Sequence, residues 1–157
     1  MQKFEKHKEI KHGKVEIIKE GKDISILAIG KTVERAVEVA KMLEKESVNA
    51  EVINVRFLKP FDIKAVKKSI RKTKKVITIE DGTIINGLAT TVKELIDDEK
   101  LGKIGMQTYA YPDEFIKHGT VEELEKLYHQ DAKFIYNEAI KIIDKKQQKD
   151  ETLKTCP

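Results

Sequence analysis

The chain has 157 residues, 39% hydrophobic and 37% charged, with 8 glycines, 3 prolines and a single cysteine. At this length one domain is expected, able to bury roughly 70% of the surface of the unfolded chain. Collagen-like, low-complexity and fully disordered classes are excluded by the same composition. Cys156, next to the last residue, can form neither a disulfide framework nor a zinc or iron–sulfur cluster, which points to a reducing compartment. Net charge is +4, yet only three of the 31 basic residues are arginine (Arg35, Arg56, Arg71), and the lysines are interleaved with Glu and Asp. Nucleic-acid readers cluster arginine forks on one face, so a solvated lysine surface without a nucleic-acid partner is expected. The longest apolar run, around Ile26–Ile29, falls far short of the ~20 residues that span a bilayer. The charged opening Met1 to Lys11 lacks a hydrophobic signal core. A cytoplasmic location with no membrane partner is expected.

Residues 1–13 read as a polar leader. Val15–Ile18 and Ile24–Ile29, joined across Gly21, read as two strands of a hairpin; the second is apolar throughout, as for a strand covered on both faces. After Gly30, the spacing of Val33, Ala36, Val37, Ala40 and Leu43 predicts a helix with one apolar stripe. Val52–Val55 is the next strand. Asp62 is placed as the N-cap of a short helix carrying Ile63, Val66 and Ile70. Val76–Ile79 is another buried strand, running into Glu80-Asp81-Gly82, then a loop, then a helix with Leu88, Val92, Leu95 and Ile96. Ile104–Tyr109 is the last strand. Thr120-Val121-Glu122-Glu123 is a capping box, predicting a helix start at Thr120 with Leu124 and Leu127 turned inward. Asp131 is placed as the cap of a final helix with the stripe Ile135, Ala139, Ile142 and Ile143. From Lys145 onward the pattern is lost and a frayed tail over 145–157 is expected, leaving 14–144 as the folded domain. Strands alternating with helices predict a three-layer α/β fold, a mostly parallel five-stranded sheet with one antiparallel edge strand.

Several chemistries fail on spacing. Gly30-Lys31-Thr32 follows a strand and opens a helix, but a phosphate loop needs a glycine where Ser25 stands. No Gly-x-Gly-x-x-Gly follows a strand, so the dinucleotide fingerprint is missing. A phospho-acceptor receiver needs an acidic pair after an early strand, and the first parallel strand ends in Ala28-Ile29-Gly30. His7, His12, His118 and His129 lack metal-ligand spacing, so no metal site is expected. The carboxyl edge of the sheet remains, where open α/β sheets place their crevices. Gly30, Arg56, Glu80-Asp81-Gly82 and Tyr109 leave strands there. Glu80 and Asp81 suit a polyol or a cation; the plainer expectation is an ion pair with Arg56. His118, just before a helix start, either faces this edge or caps.

These strand-end segments resemble, in order, four motifs of the transketolase C-terminal domain. Gly21-Lys22-Asp23-Ile24-Ser25-Ile26-Leu27-Ala28-Ile29-Gly30 resembles its opening strand. Asn54-Val55-Arg56-Phe57-Leu58-Lys59-Pro60-Phe61-Asp62 is similar to its n-x-R-F-x-K-P-l-D segment, and Thr78-Ile79-Glu80-Asp81-Gly82 to its t-x-E-x-G. Pro112-Asp113-Glu114-Phe115-Ile116-Lys117-His118-Gly119 is similar to the P-D-x-F-I-x-H-G of the 1-deoxy-D-xylulose-5-phosphate synthase family. Together they cover about residues 13–142. Where the family has Gly-Gly this chain has Asn86-Gly87, and Asn tolerates the left-handed conformation such a loop needs.

The resemblance implies an enzyme that joins pyruvate to glyceraldehyde 3-phosphate with loss of CO2, using thiamine diphosphate and Mg²⁺. In that family both are held by the two preceding domains, and this chain lacks their G-D-G…N motif. It is therefore expected to be the third domain alone, a fragment or one subunit of a split enzyme, with no catalytic, cofactor-binding or metal residue of its own. Its implied partners are the preceding domains and a second subunit of a homo-oligomeric parent. Arg56, Glu80, Asp81 and His118 are the interface or ligand candidates. Transketolase itself or the β subunit of a 2-oxo acid dehydrogenase is the alternative within the superfamily. A free-standing α/β ligand-binding or regulatory module is the alternative outside it.

Overall fold

A computed structural model describes residues 9–154, with side chains up to Ile143; His7 and Cys156 lie outside the described residues. Ten elements follow one another: β1 (Glu16–Lys19), β2 (Ile24–Ala28), α1 (Thr32–Lys45), β3 (Ala50–Asn54), α2 (Ile63–Thr73), β4 (Lys75–Thr83), α3 (Leu88–Asp98), β5 (Gly105–Tyr111), α4 (Val121–Leu127) and α5 (Ala132–Lys154). The strands form one sheet in the order β1-β3-β2-β4-β5. β1 is antiparallel to β3 and every other pairing is parallel.

Strand alternation divides the core into two layers. Ile24, Ile26 and Ala28 of β2 pack with Ala36, Val39 and Leu43 of α1 and with Ile135 and Ala139 of α5. Leu27, Ile53 and Val76 face the other way, onto Val66 and Ile70 of α2 and Leu88, Val92 and Leu95 of α3. The three-layer α/β/α arrangement and the antiparallel edge strand are as expected. Among the described residues no helix is long and apolar enough to cross a membrane.

Four local expectations are corrected. The predicted hairpin does not form: β1 pairs with β3, and β2 lies one strand further in, between β3 and β4. Lys22 and Asp23 donate their N–H to the Asn49 carbonyl, while Asp23 accepts from the Asn49 N–H, 2.7 Å, so the connection is tied to the start of β3. Gly21 passes so close to the Ala50–Glu51 backbone that no side chain fits there, and the chain is carried from the outer side of β3 across to its inner side. β4 continues through Glu80–Thr83, four residues past the Ile79 at which the strand was expected to end, with Thr83 still paired to Tyr111. Leu127 is 56% exposed and α4 buries no side chain, because this short helix does not pack on the sheet. Finally, α5 is helical to Lys154 where a frayed tail was expected. Lys, Gln and Glu keep good helix propensity after the apolar stripe ends.

Candidate functional site at the carboxyl edge of the sheet

The crossover through α1 carries the chain from β2 to β3, whereas α2 carries it back past β2 to β4. The switch point therefore lies at the carboxyl ends of β2 and β4, where such sheets open a crevice. Here α1 closes it. The Thr32 hydroxyl donates to the carbonyls of Ile29 and Ile79, both at 2.9 Å, and fastens the start of the helix across the two strand ends. Beside it the Lys31 ammonium meets the Asp81 carboxylate at 2.9 Å. That hydrogen bond, and then the carboxylate charge, hold Lys31 above its ordinary pKa.

Glu80 is 4% exposed. Its two oxygens accept from the N–H groups of Leu88, 2.9 Å, and Ala89, 3.0 Å, at the start of α3. Gly87, the N-cap residue, has no side chain to serve those donors. Asn86 takes the left-handed conformation, φ 58°, as its residue type suggested. Neither acid meets Arg56. That guanidinium pairs instead with Glu16, 2.5 Å, at the start of β1. The sheet order explains the correction: β2 stands between β3, which leads into Arg56, and β4, which carries both acids. His118 is exposed in the segment after β5, and the α4 cap is Thr120 with Glu123. Tyr109 is turned into the core, where its hydroxyl donates to Gln107, 3.0 Å, and burial raises its pKa.

Sequence reasoning missed a cleft of about 500 Å³ lined by Lys31, just before α1, by Arg35 of α1 and by Glu125, Asp131 and Lys133 around the α4–α5 junction. Arg35 and Glu125, ninety residues apart, pair across it. Asp131 accepts from the Phe134 N–H, 3.0 Å, and caps α5 as expected. Nothing in the spacing of Arg35 and Glu125 signals their pairing; only the folded topology brings them together. Among the described residues no three His, Cys, Asp or Glu side chains converge as metal ligands. The edge is rich in charge, and Asp81, Arg35 and Arg56 there are each paired within the domain.

All four motif segments reach this edge: 21–30 ends just past β2, 54–62 leaves β3, 78–82 lies at the end of β4 and 112–119 leaves β5. Residues 13–135 match the family described as "Transketolase, C-terminal domain". The chain belongs to that family. It is 36% identical over 134 residues to the 1-deoxy-D-xylulose-5-phosphate synthase of Halothermothrix orenii, covering 85% of this chain and 21% of that enzyme. The Clostridium acetobutylicum synthase is 39% identical over 128 residues, 82% of this chain and 20% of the enzyme. This transketolase C-terminal domain thus spans about a fifth of the length of the curated relatives it matches. Among solved structures, a split-gene transketolase in an inactive β4 tetramer superposes with a TM-score of 0.78 at 32% identity, over 86% of this chain and 44% of that one. The transketolase of Campylobacter jejuni, at 20% identity and a TM-score of 0.62 over 82% of this chain and 18% of that one, shares the fold.

Proposed function

We propose that this chain is the C-terminal interface domain of a thiamine-diphosphate-dependent synthase. The parent condenses pyruvate and glyceraldehyde 3-phosphate, with loss of CO2, to 1-deoxy-D-xylulose 5-phosphate. Thiamine diphosphate and Mg²⁺ belong to its preceding domains. The present domain packs against those domains and a second subunit of a homo-oligomer, and is not catalytic alone. The observation that carries this reading is the 36–39% identity to synthases over a stretch that is a fifth of their length.

The electrostatics of the carboxyl edge support an architectural role. A metal-bound diphosphate needs carboxylate oxygens free to coordinate and clustered cations free to meet phosphate. Glu80 is occupied by the N-terminus of α3 and Asp81 by Lys31. Glu80-Asp81-Gly82 therefore does not fit a diphosphate–metal group, and no step of the reaction is routed through it. Arg56, Asp81 and His118 remain interface candidates.

The test is a chimera in which the matching last fifth of the Halothermothrix orenii synthase is replaced by this chain. It is expected to make 1-deoxy-D-xylulose 5-phosphate from pyruvate and glyceraldehyde 3-phosphate. A folded chimera that binds thiamine diphosphate and makes none overturns the reading. One observation favours a second reading, the C-terminal part of a split transketolase: the 32% identity to the split-gene enzyme. In that case the same replacement restores the transketolase and leaves the synthase chimera inactive.

A further inference from the structure

The interleaving of lysines with acids breaks down in one place. Residues 59–75 carry eight of the chain's 31 basic residues and one of its 27 acids, Asp62, so the remainder of the chain is net negative. Five of the eight stand on α2, which has no acid of its own. Its buried residues, Val66, Ser69, Ile70 and Thr73, form one face. Lys64, Lys68 and Arg71 recur at four and three residues on the opposite face, exposed along a line of about 10 Å. The cations at its margins are neutralised by the domain itself: Lys67 by Glu99 at 2.9 Å, and Lys72 by Glu51 at 2.6 Å and Glu20 at 3.5 Å. Among the described residues no carboxylate pairs with the central three.

This arrangement costs the isolated domain stability. Lys64 and Lys68, Lys67 and Arg71, and Lys68 and Lys72 are like charges four residues apart on one helix. Lys64 also stands in the first turn, at the positive end of the helix dipole. A solvated face has no need of this: α1 intersperses Glu34, Glu38 and Glu44 among Arg35, Lys41 and Lys45. The counter-charge that relieves α2 therefore comes from outside the domain. Residue type narrows its nature. α2 carries no aromatic side chain on which a base could stack, and Arg71 is its one fork for phosphate. Apart from Ile63 at its first position, its large apolar side chains lie in the core and leave little to insert into a lipid surface. Lysine ammonium groups on flexible stems meet carboxylates as point charges. A stripe at three- and four-residue spacing matches that of acids along a second helix lying beside it. We infer that the outer face of α2, with Lys64, Lys68 and Arg71 at its centre, docks an acidic helix of a partner protein, one whose Glu or Asp side chains recur at three and four residues. It does so whichever reaction the parent performs.

Fluorescence anisotropy tests it, with the full chain titrated into a labelled alanine-based helical peptide carrying glutamates at three- and four-residue spacing. The peptide is expected to bind, and to bind less tightly as sodium chloride screens the charges. The triple change Lys64→Glu, Lys68→Glu and Arg71→Glu is expected to weaken binding at least tenfold. The neutral triple Lys64→Gln, Lys68→Gln and Arg71→Gln keeps helix propensity and is expected to weaken it by less; it carries the test if circular dichroism shows the charge-reversed chain unfolded. Lys22→Glu, Lys41→Glu and Lys45→Glu, the same change of net charge at exposed sites elsewhere, is expected to leave binding within twofold of the unchanged chain. A peptide that does not bind, or one that the control triple weakens equally, overturns the docking surface. An oligouridylate or a phosphatidylserine-containing vesicle held more tightly than the peptide by the same three residues overturns the assignment to an acidic helix.

Discussion

An acid at the carboxyl end of a central strand can serve a ligand or serve the fold, and its partners decide which. Glu80 accepts from two of the orphan N–H groups at the start of α3, at the positive end of the helix dipole. Gly87 makes this possible, since a Cβ there would overlap the Glu80 carboxylate. Gly87→Ala is therefore expected to displace Glu80 and cost about 2–3 kcal/mol, the range for stranding buried polar groups. Urea unfolding checks this, and a loss below about 0.5 kcal/mol, the scatter of neutral surface changes, would show that the carboxylate is dispensable. The acid itself was legible as a strand-end residue. Its role was not, because its partners are backbone amides eight and nine positions on. Arg56 failed for a related reason: residue type marks it as an ion-pair former, but strand order decides that the partner is Glu16.

At the scale of elements, α4 is the exception. The other helices carry an apolar stripe into the core; α4 buries no side chain and is held by its capping box and by the Arg35–Glu125 pair. Its start was readable because a capping box is local: the Thr120 hydroxyl accepts from the Glu123 N–H, and Glu123 accepts from the Thr120 N–H. Its packing was not readable, since Leu127 fits an inward stripe equally well on paper. Thr120→Ala is expected to cost about 1 kcal/mol of local stability. Because α4 adds nothing to the core, the loss should appear as faster amide exchange in Val121–Leu127, with the global unfolding midpoint nearly unchanged. The same box predicts a pH dependence. Hydrogen bonds from the Thr120 backbone and then its hydroxyl hold Glu123 below the usual carboxylate value of 4.5. A lowered folded pKa means that the stabilisation is present above 4.5 and is lost as pH falls through the folded value. Amide exchange in α4 should therefore quicken in acid; Glu123→Gln should lose that dependence, and Thr120→Ala, which keeps the backbone donor, should only weaken it.

For the molecule as a whole, the decisive fact is that both strand-end acids of β4 are already held within the domain, Glu80 by α3 and Asp81 by Lys31. Isothermal titration of the full chain with thiamine diphosphate and Mg²⁺ is expected to give no binding. Micromolar binding would mean that Glu80 or Asp81 leaves its present partner for the cofactor, and would overturn the architectural reading at its root.

Local periodicity and composition were enough to read the α/β class, the helices and nearly every strand, together with the caps at Asp62, Thr120 and Asp131. The reason is that stripes, caps and turn residues act over three or four positions. The order of motif segments was likewise enough to recognise the transketolase C-terminal domain. The tertiary structure alone decided that β1 pairs with β3 instead of forming a hairpin with β2, that Arg35 meets Glu125, that Glu80 faces α3 and that Phe115 faces solvent. Each of these depends on which strand lies beside which. Strand neighbours are chosen by the burial of whole faces at once, an energy that no short window of residues contains.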